Sequence, residues 1–240
     1  INGFHVTRDH ALAAMEQAAT GPVEEGVVGG GTGMVCNGFK GGIGTSSRIF
    51  DAQGSQFTVG VLVQCNYNWD GDDLRLGSRS MKGLLEVGRH CFTDRAIDRH
   101  VNWYPYCEDS AADEQTPATR DGSIIVVVAT DAPLLPNQLR RLAKRPSLGL
   151  GRLGAVSGDG SGDIFIAFST ANAGQMDENR VSEVLMYPNN DLTRVFKAAV
   201  QATEEAIVNA MVAAETVIGA SGLRVESVPE EQLRAIFPAE

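Results

Sequence analysis

The apolar positions of this chain fall into two kinds of run, one with helical spacing and one strand-like. Leu12, Met15 and Ala19 recur at helical intervals within Thr7–Ala19, with Thr7 available as a cap and Gly21-Pro22 as a stop. Gln56–Asn66 is a β-branched run ending in polar residues, and Ser123–Thr130 and Ile164–Thr170 read as further strands. Pro136 suits a helix start, so a helix is expected over Asn137–Arg145, stopped by Pro146 and followed by a tight turn at Gly149, Gly151 and Gly154. The short stretch Met81–Val87 reads as helical, with Gly88 just past its end. A long alanine-rich helix is predicted over Leu192–Ile218, capped by Asn190 or Asp191 and closed by Gly219. Ser227-Val-Pro-Glu230 has the form of a capping box before a short helix reaching Phe237. These elements suggest one layered α/β core, so residues 1–240 are expected to be a single domain, without internal repeats.

Charge narrows the range of partners. The formal net charge of -10 argues against nucleic acid and anionic membrane surfaces. No apolar run is long enough to span a bilayer as a helix. Cys36, Cys65, Cys91 and Cys107 show no C-x-x-C, and the gaps around Cys91, His100 and Cys107 fit no common zinc pattern. Reduced cysteines in a cytoplasmic protein are therefore expected, with a periplasmic location as the alternative, and neither metal nor cofactor is called for. The chain opens on Ile1 within a polar stretch and reads as part of a longer or processed protein.

Four stretches hold candidate chemistry. Nine glycines lie between positions 26 and 44. No Gly-Lys-Ser/Thr follows at P-loop spacing, so close backbone approach, tight turns or a wall of main-chain amides explain them better than a phosphate cradle. Asn66, just past a strong strand, either starts a turn or supplies an amide donor to a developing oxyanion. Ser161 and Asp163 stand two apart in a Gly/Ser/Asp loop, so extended backbone would point both to one side, where they could hold a nucleophile and its ammonium. In the fourth stretch a polar, acidic run from Glu108 meets the strand at Gly122-Ser123 with no intervening turn. That junction is either an ordinary loop-to-strand passage or a site of self-cleavage. In the second case Ser123 becomes a new N-terminus, whose α-amine, with an ordinary pKa of about 7.7–8.0, can act as base for its own hydroxyl.

The stretches Gly26–Met34, Val61–Asn66, Gly122–Pro133 and Ser161–Thr170 closely resemble, in the same order, the family of the L-aminopeptidase D-Ala-esterase/amidase and the β-peptidyl aminopeptidases. The resemblance covers most of residues 1–66 and 123–240. It implies an αββα sandwich related to ornithine acetyltransferase. It also implies self-cleavage between Gly122 and Ser123 into chains 1–122 and 123–240 that stay together, and homo-oligomerisation. By the same resemblance Ser123 is the nucleophile, Asn66 stabilises the oxyanion, and Ser161 and Asp163 support the nucleophile and its amine. The activity implied is release of N-terminal residues from short peptides, amides or esters, without metal or cofactor. In this family an active-site tyrosine and an acidic residue lie upstream of the position of Ile1, so the site named here is expected to be partial. Acyl transfer of the ornithine acetyltransferase type and a non-catalytic oligomerising relative are the alternatives.

Overall fold

The computed structural model describes residues 3–69, 71–88, 90–95, 104–109, 122–175, 179–219 and 222–238. Expectations placed on His100 and on most of the acidic run before Gly122 lie outside the described residues.

In chain order the strands are Val35–Cys36 (β1), Phe39–Lys40 (β2), Ile43–Ala52 (β3), Ser55–Asn66 (β4), Arg75–Leu76 (β5), Arg79–Ser80 (β6), Cys91–Phe92 (β7), Ser123–Thr130 (β8), Ile164–Ser169 (β9), Val217–Ile218 (β10) and Leu223–Val225 (β11). The helices are Arg8–Glu16 (α1), Pro136–Leu142 (α2), Pro146–Arg152 (α3), Leu192–Val212 (α4) and Glu230–Ile236 (α5). The central sheet has four strands in the order β3-β4-β8-β9. Its first two junctions are antiparallel and the last is parallel. β3 and β4 form a hairpin whose two-residue turn, Gln53-Gly54, has both φ angles positive, as a tight hairpin requires. The parallel β8–β9 pair needs a crossover, and α2 and α3 lie in that connection.

Strand periodicity decides which face is the core. Val59, Val61, Val63 and Cys65 of β4 alternate inward beside Ile124, Val126 and Val128 of β8, all buried. Burying each such valine contributes about 1.5–3 kcal/mol. α4 covers this face with Leu192, Val195, Ala199, Ala202, Ala206 and Ala210. The small residues let helix and sheet touch closely, since a Cβ on Gly44 of β3 would lie 2.0 Å from the Ala206 carbonyl oxygen. The opposite face carries exposed apolar side chains, among them Ile49, Ile125, Ile164, Ile166 and Phe168. Of an αββα sandwich, the described residues thus build one sheet and its helix layer.

Several local expectations are corrected. Pro146 does not merely stop a helix; it begins α3, which contains Gly149 and Gly151 where a turn was expected. A Cβ on Gly149 would meet Thr203 Cβ at 2.8 Å, so contact with α4 accounts for that glycine. α4 ends at Val212, and Val217–Ile218 pairs antiparallel with β11 instead of continuing the helix. Ser227 forms no capping box: its backbone N–H donates to Thr216 Oγ1 at 3.1 Å, and α5 starts after Pro229. Met81–Val87 is not helical; positive φ at Gly83 breaks it, and Met81 and Leu85 bury themselves from turns.

The cysteines are not free thiols. Cys36 pairs with Cys65, joining β1 to β4, and Cys91 pairs with Cys107. Separations of 29 and 16 residues gave no sign of this, but the fold brings the Cα atoms to 5.5 and 4.9 Å.

Candidate active site

Ser123 opens β8 directly opposite Asn66, the last residue of β4. Both therefore stand at one end of the sheet, on the face turned away from α4. Gly122 precedes them where the chain has little room. A Cβ there would lie 2.3 Å from the Asn66 carbonyl oxygen and 2.6 Å from Tyr67 Cα. Its φ lies outside the left-handed region, so close approach, and not an unusual backbone angle, is what selects glycine.

The loop before β9 comes alongside this end of the sheet. The Gly162 N–H donates to Ser123 Oγ at 2.9 Å. Asp163 accepts the Ile124 N–H on Oδ1 at 3.0 Å and the Ser157 hydroxyl on Oδ2 at 2.8 Å. Its carboxylate is thereby fixed beside the residue that follows the candidate nucleophile. Ser161 enters through its backbone, whose N–H closes a turn onto the Gly158 carbonyl at 2.9 Å. Its hydroxyl makes no hydrogen bond among the described residues. Ser161 and Asp163 nevertheless line one cavity of about 210 Å³ with Tyr67, Asp73, Gly122 and Ser157.

Asn66 is anchored through its oxygen. Val35 N–H donates to Oδ1 at 3.0 Å, and because that partner is a donor the amide orientation follows directly. Nδ2 has no partner among the described residues. Tyr67 is buried beside it and receives a hydrogen bond from Asn37 Nδ2 at 3.4 Å. Burial pushes the Tyr67 phenol well above its usual range; the Asn37 hydrogen bond opposes this and the negative charge of Asp163 adds to it. The group stays protonated. Sequence reasoning missed Ser157, Gly162 and Tyr67. Only Tyr67 carried a signal, its place next to Asn66.

Among the described residues, the one hydrogen-bond partner of Ser123 Oγ is a donor, and no imidazole, amine or carboxylate is placed to take its proton. No group of His, Cys, Asp or Glu there is arranged to hold a metal ion. A serine at the head of an inner strand of such a sheet is compatible with an N-terminal-nucleophile hydrolase fold, and the comparison of folds agrees. The structure superposes with a TM-score of 0.73 on the L-aminopeptidase D-Ala-esterase/amidase of Ochrobactrum anthropi, 41% identical and described as a variant of that fold. That match covers 98% of this chain and 58% of the Ochrobactrum one. A β-aminopeptidase of Burkholderia sp. gives 0.74 at 40% identity, covering 99% of this chain and 61% of its own.

The chain belongs to peptidase family S58, whose profile matches residues 1–225. It is 49% identical over 238 residues to the β-peptidyl aminopeptidase BapA of Sphingosinicella microcystinivorans, covering 99% of this chain and 57% of that protein. The corresponding protein of Sphingosinicella xenopeptidilytica is 41% identical over 239 residues, covering 99% of this chain and 56% of that protein. The chain thus spans a little over half the length of these curated relatives.

Proposed function

We propose that this chain carries the nucleophile of a self-processing serine aminopeptidase that releases N-terminal residues from short peptides, amides or esters. The observation that carries this reading is Ser123 heading β8, its Oγ held by a backbone donor and its neighbour Asn66 offering an amide whose Nδ2 has no partner among the described residues. In maturation Ser123 Oγ attacks the Gly122 carbonyl carbon. The peptide C–N bond breaks, the Ser123 nitrogen takes the hydroxyl proton, and water hydrolyses the resulting ester. In turnover the free α-amine accepts the Oγ proton as Oγ attacks the first carbonyl of the substrate. Asn66 Nδ2 donates to the oxyanion, and the amine returns its proton to the leaving group. Water then releases the acyl group. Asp163, tied to the Ile124 N–H, keeps negative charge near the α-amine, and Ser161 adds a hydroxyl to the same cavity wall.

Peptidase relatives favour hydrolysis over acyl transfer. The exposed apolar face around Ile164, Ile166 and Phe168 suits a second sheet contributed by the rest of the full-length protein. The two processed pieces would remain associated through the β4–β8 ladder, whose strands come from either side of the cut. Assembly into a homo-oligomer is part of the same proposal. The two disulfides favour maturation in an oxidising compartment such as the periplasm over the cytoplasm.

Intact mass of the full-length protein under denaturing conditions tests the reading. Two species meeting at Gly122-Ser123 are expected, and only the uncut mass from Ser123→Ala, with no hydrolysis. Turnover retained by Ser123→Ala overturns the mechanism.

A further inference from the structure

Lys40 of β2 is 2% exposed, yet among the described residues its ammonium makes no ion pair. Instead its three N–H groups donate to main-chain carbonyls: Gly31 at 3.0 Å, Met34 at 2.8 Å and Gly41 at 2.6 Å. That uses every donor an ammonium has, so none remains for a ligand. One of the three carbonyls stands out. The peptide joining Met34 to Val35 accepts from Lys40 at its oxygen and donates to Asn66 Oδ1 from its nitrogen. A positive charge on the oxygen of a peptide polarises it and strengthens the hydrogen bond made by its N–H, all the more out of water.

We propose that Lys40 is a positioning residue for the reaction, acting through the Met34–Val35 peptide to fix and polarise the Asn66 amide so that Nδ2 meets the oxyanion. The inference rests on the role given to Asn66 under Proposed function. A buried ammonium without a counter-ion is costly, and a hydrophobic residue would fill the same space more cheaply if β1 and β2 needed only packing. Burial pushes Lys40 down to about 8, so its charge is lost under mildly alkaline conditions. Few other charges face it. On β11, whose neighbour Glu226 accepts the Lys40 backbone N–H, Arg224 and Glu226 pair with each other at 2.9 Å. His90, near the β1–β2 turn, is held neutral by burial. The small apolar cavity beside Lys40, lined by Met34, Val35, Trp69, Val217 and Leu223, brings no titratable group.

The test uses the full-length processed protein with L-alanyl, D-alanyl and β-alanyl p-nitroanilides, in the variants Lys40→Met, Asn66→Ala and the two combined. Lys40→Met is expected to lower kcat about 10- to 100-fold with KM nearly unchanged. In the Asn66→Ala background the same substitution should lower kcat by less than about two-fold, because its effect passes through that amide. Losses that multiply in the double variant, or a change in KM alone, overturn the role of Lys40 while leaving that of Asn66 intact. Wild-type kcat from Asn66→Ala overturns the oxyanion role itself. Should Lys40→Met fail to fold, the unsubstituted lysine supplies the measurement. The ratio of kcat in the native protein to kcat in Asn66→Ala should fall above about pH 8, since the titration of the Ser123 α-amine is common to both and cancels. A ratio that stays constant across this range overturns the proposal.

Discussion

Asn66 and Ser123 are paired residues of the antiparallel β4–β8 ladder, the last position of one strand facing the first of the other. Side chains at such a pair share a face, with Cβ atoms about 4.5–5.5 Å apart. In the proposed mechanism, a carbonyl attacked by Ser123 therefore develops its charge within reach of the Asn66 amide.

Replacing that amide separates anchoring from donation. Asn66→Asp keeps an oxygen for the Val35 N–H but loses the Nδ2 donor, whereas Asn66→Ala loses both. Each is expected to lower kcat by about 10² or more, with little change in KM. Steady-state kinetics on correctly folded, processed protein checks this. Full activity in Asn66→Asp would show that the donor is not used.

Gly122→Ala should impair maturation before it impairs folding. The added Cβ must displace the backbone at Asn66 or Tyr67, which it would approach to 2.3 and 2.6 Å. The Gly122 carbonyl, the proposed point of attack, moves with it. A time course of intact mass should show the uncut chain persisting long after the wild type is fully split. Equal rates would mean that the junction relaxes without cost.

Each disulfide should stabilise by constraining the unfolded chain. Loops of 29 and 16 residues correspond to roughly 3–4 kcal/mol apiece in the chain-entropy account. Cys91→Ser with Cys107→Ser should lower stability without changing kcat. Cys36→Ser with Cys65→Ser should lower both, because that bridge ties β1 to the residue before Asn66. Denaturant midpoints and kcat measured on the same preparations distinguish the two bridges.

Stability should depend on pH on both sides of neutrality. His90 is 7% exposed, neither ring nitrogen has a hydrogen-bond partner of ordinary geometry among the described residues, and burial lowers its pKa below 6.5. The unfolded chain then takes up the proton first, so the contribution is full above about pH 6.5 and declines as pH falls toward the folded value. His90→Phe, which keeps an aromatic edge against Tyr104, should lose less Tm than the wild type between neutral and mildly acidic pH. Lys40 acts in the alkaline range. Its charged form is disfavoured on folding, so between about pH 8 and about pH 10.5 the unfolded chain binds more protons and stability gains as pH rises. Thermal scans of the wild type and Lys40→Met across this range should diverge accordingly.

The sequence by itself determined which stretches became the main strands and helices, because β-branched apolar runs and helical spacing are local properties. β4, β8, β9 and α4 stand where β-branched apolar runs and alanine spacing put them, with Asn66, Ser123, Ser161 and Asp163 at or near the ends of those strands. Ends of elements were less legible. α4 gives up Val217 and Ile218 because β11 offers them ladder hydrogen bonds, and α3 tolerates Gly149 because Thr203 of α4 packs against it. The tertiary structure alone decided what depends on distant segments meeting. Cys36 and Cys65 bond because β1 returns beside β4. Ser157, and not Ser161, grips the Asp163 carboxylate because the loop folds back before β9. Lys40 reads as an ordinary polar residue until its strand buries it against the one peptide that also holds Asn66. Spacing along a chain encodes which face a side chain takes, but contacts between segments arise from packing, which no single stretch contains.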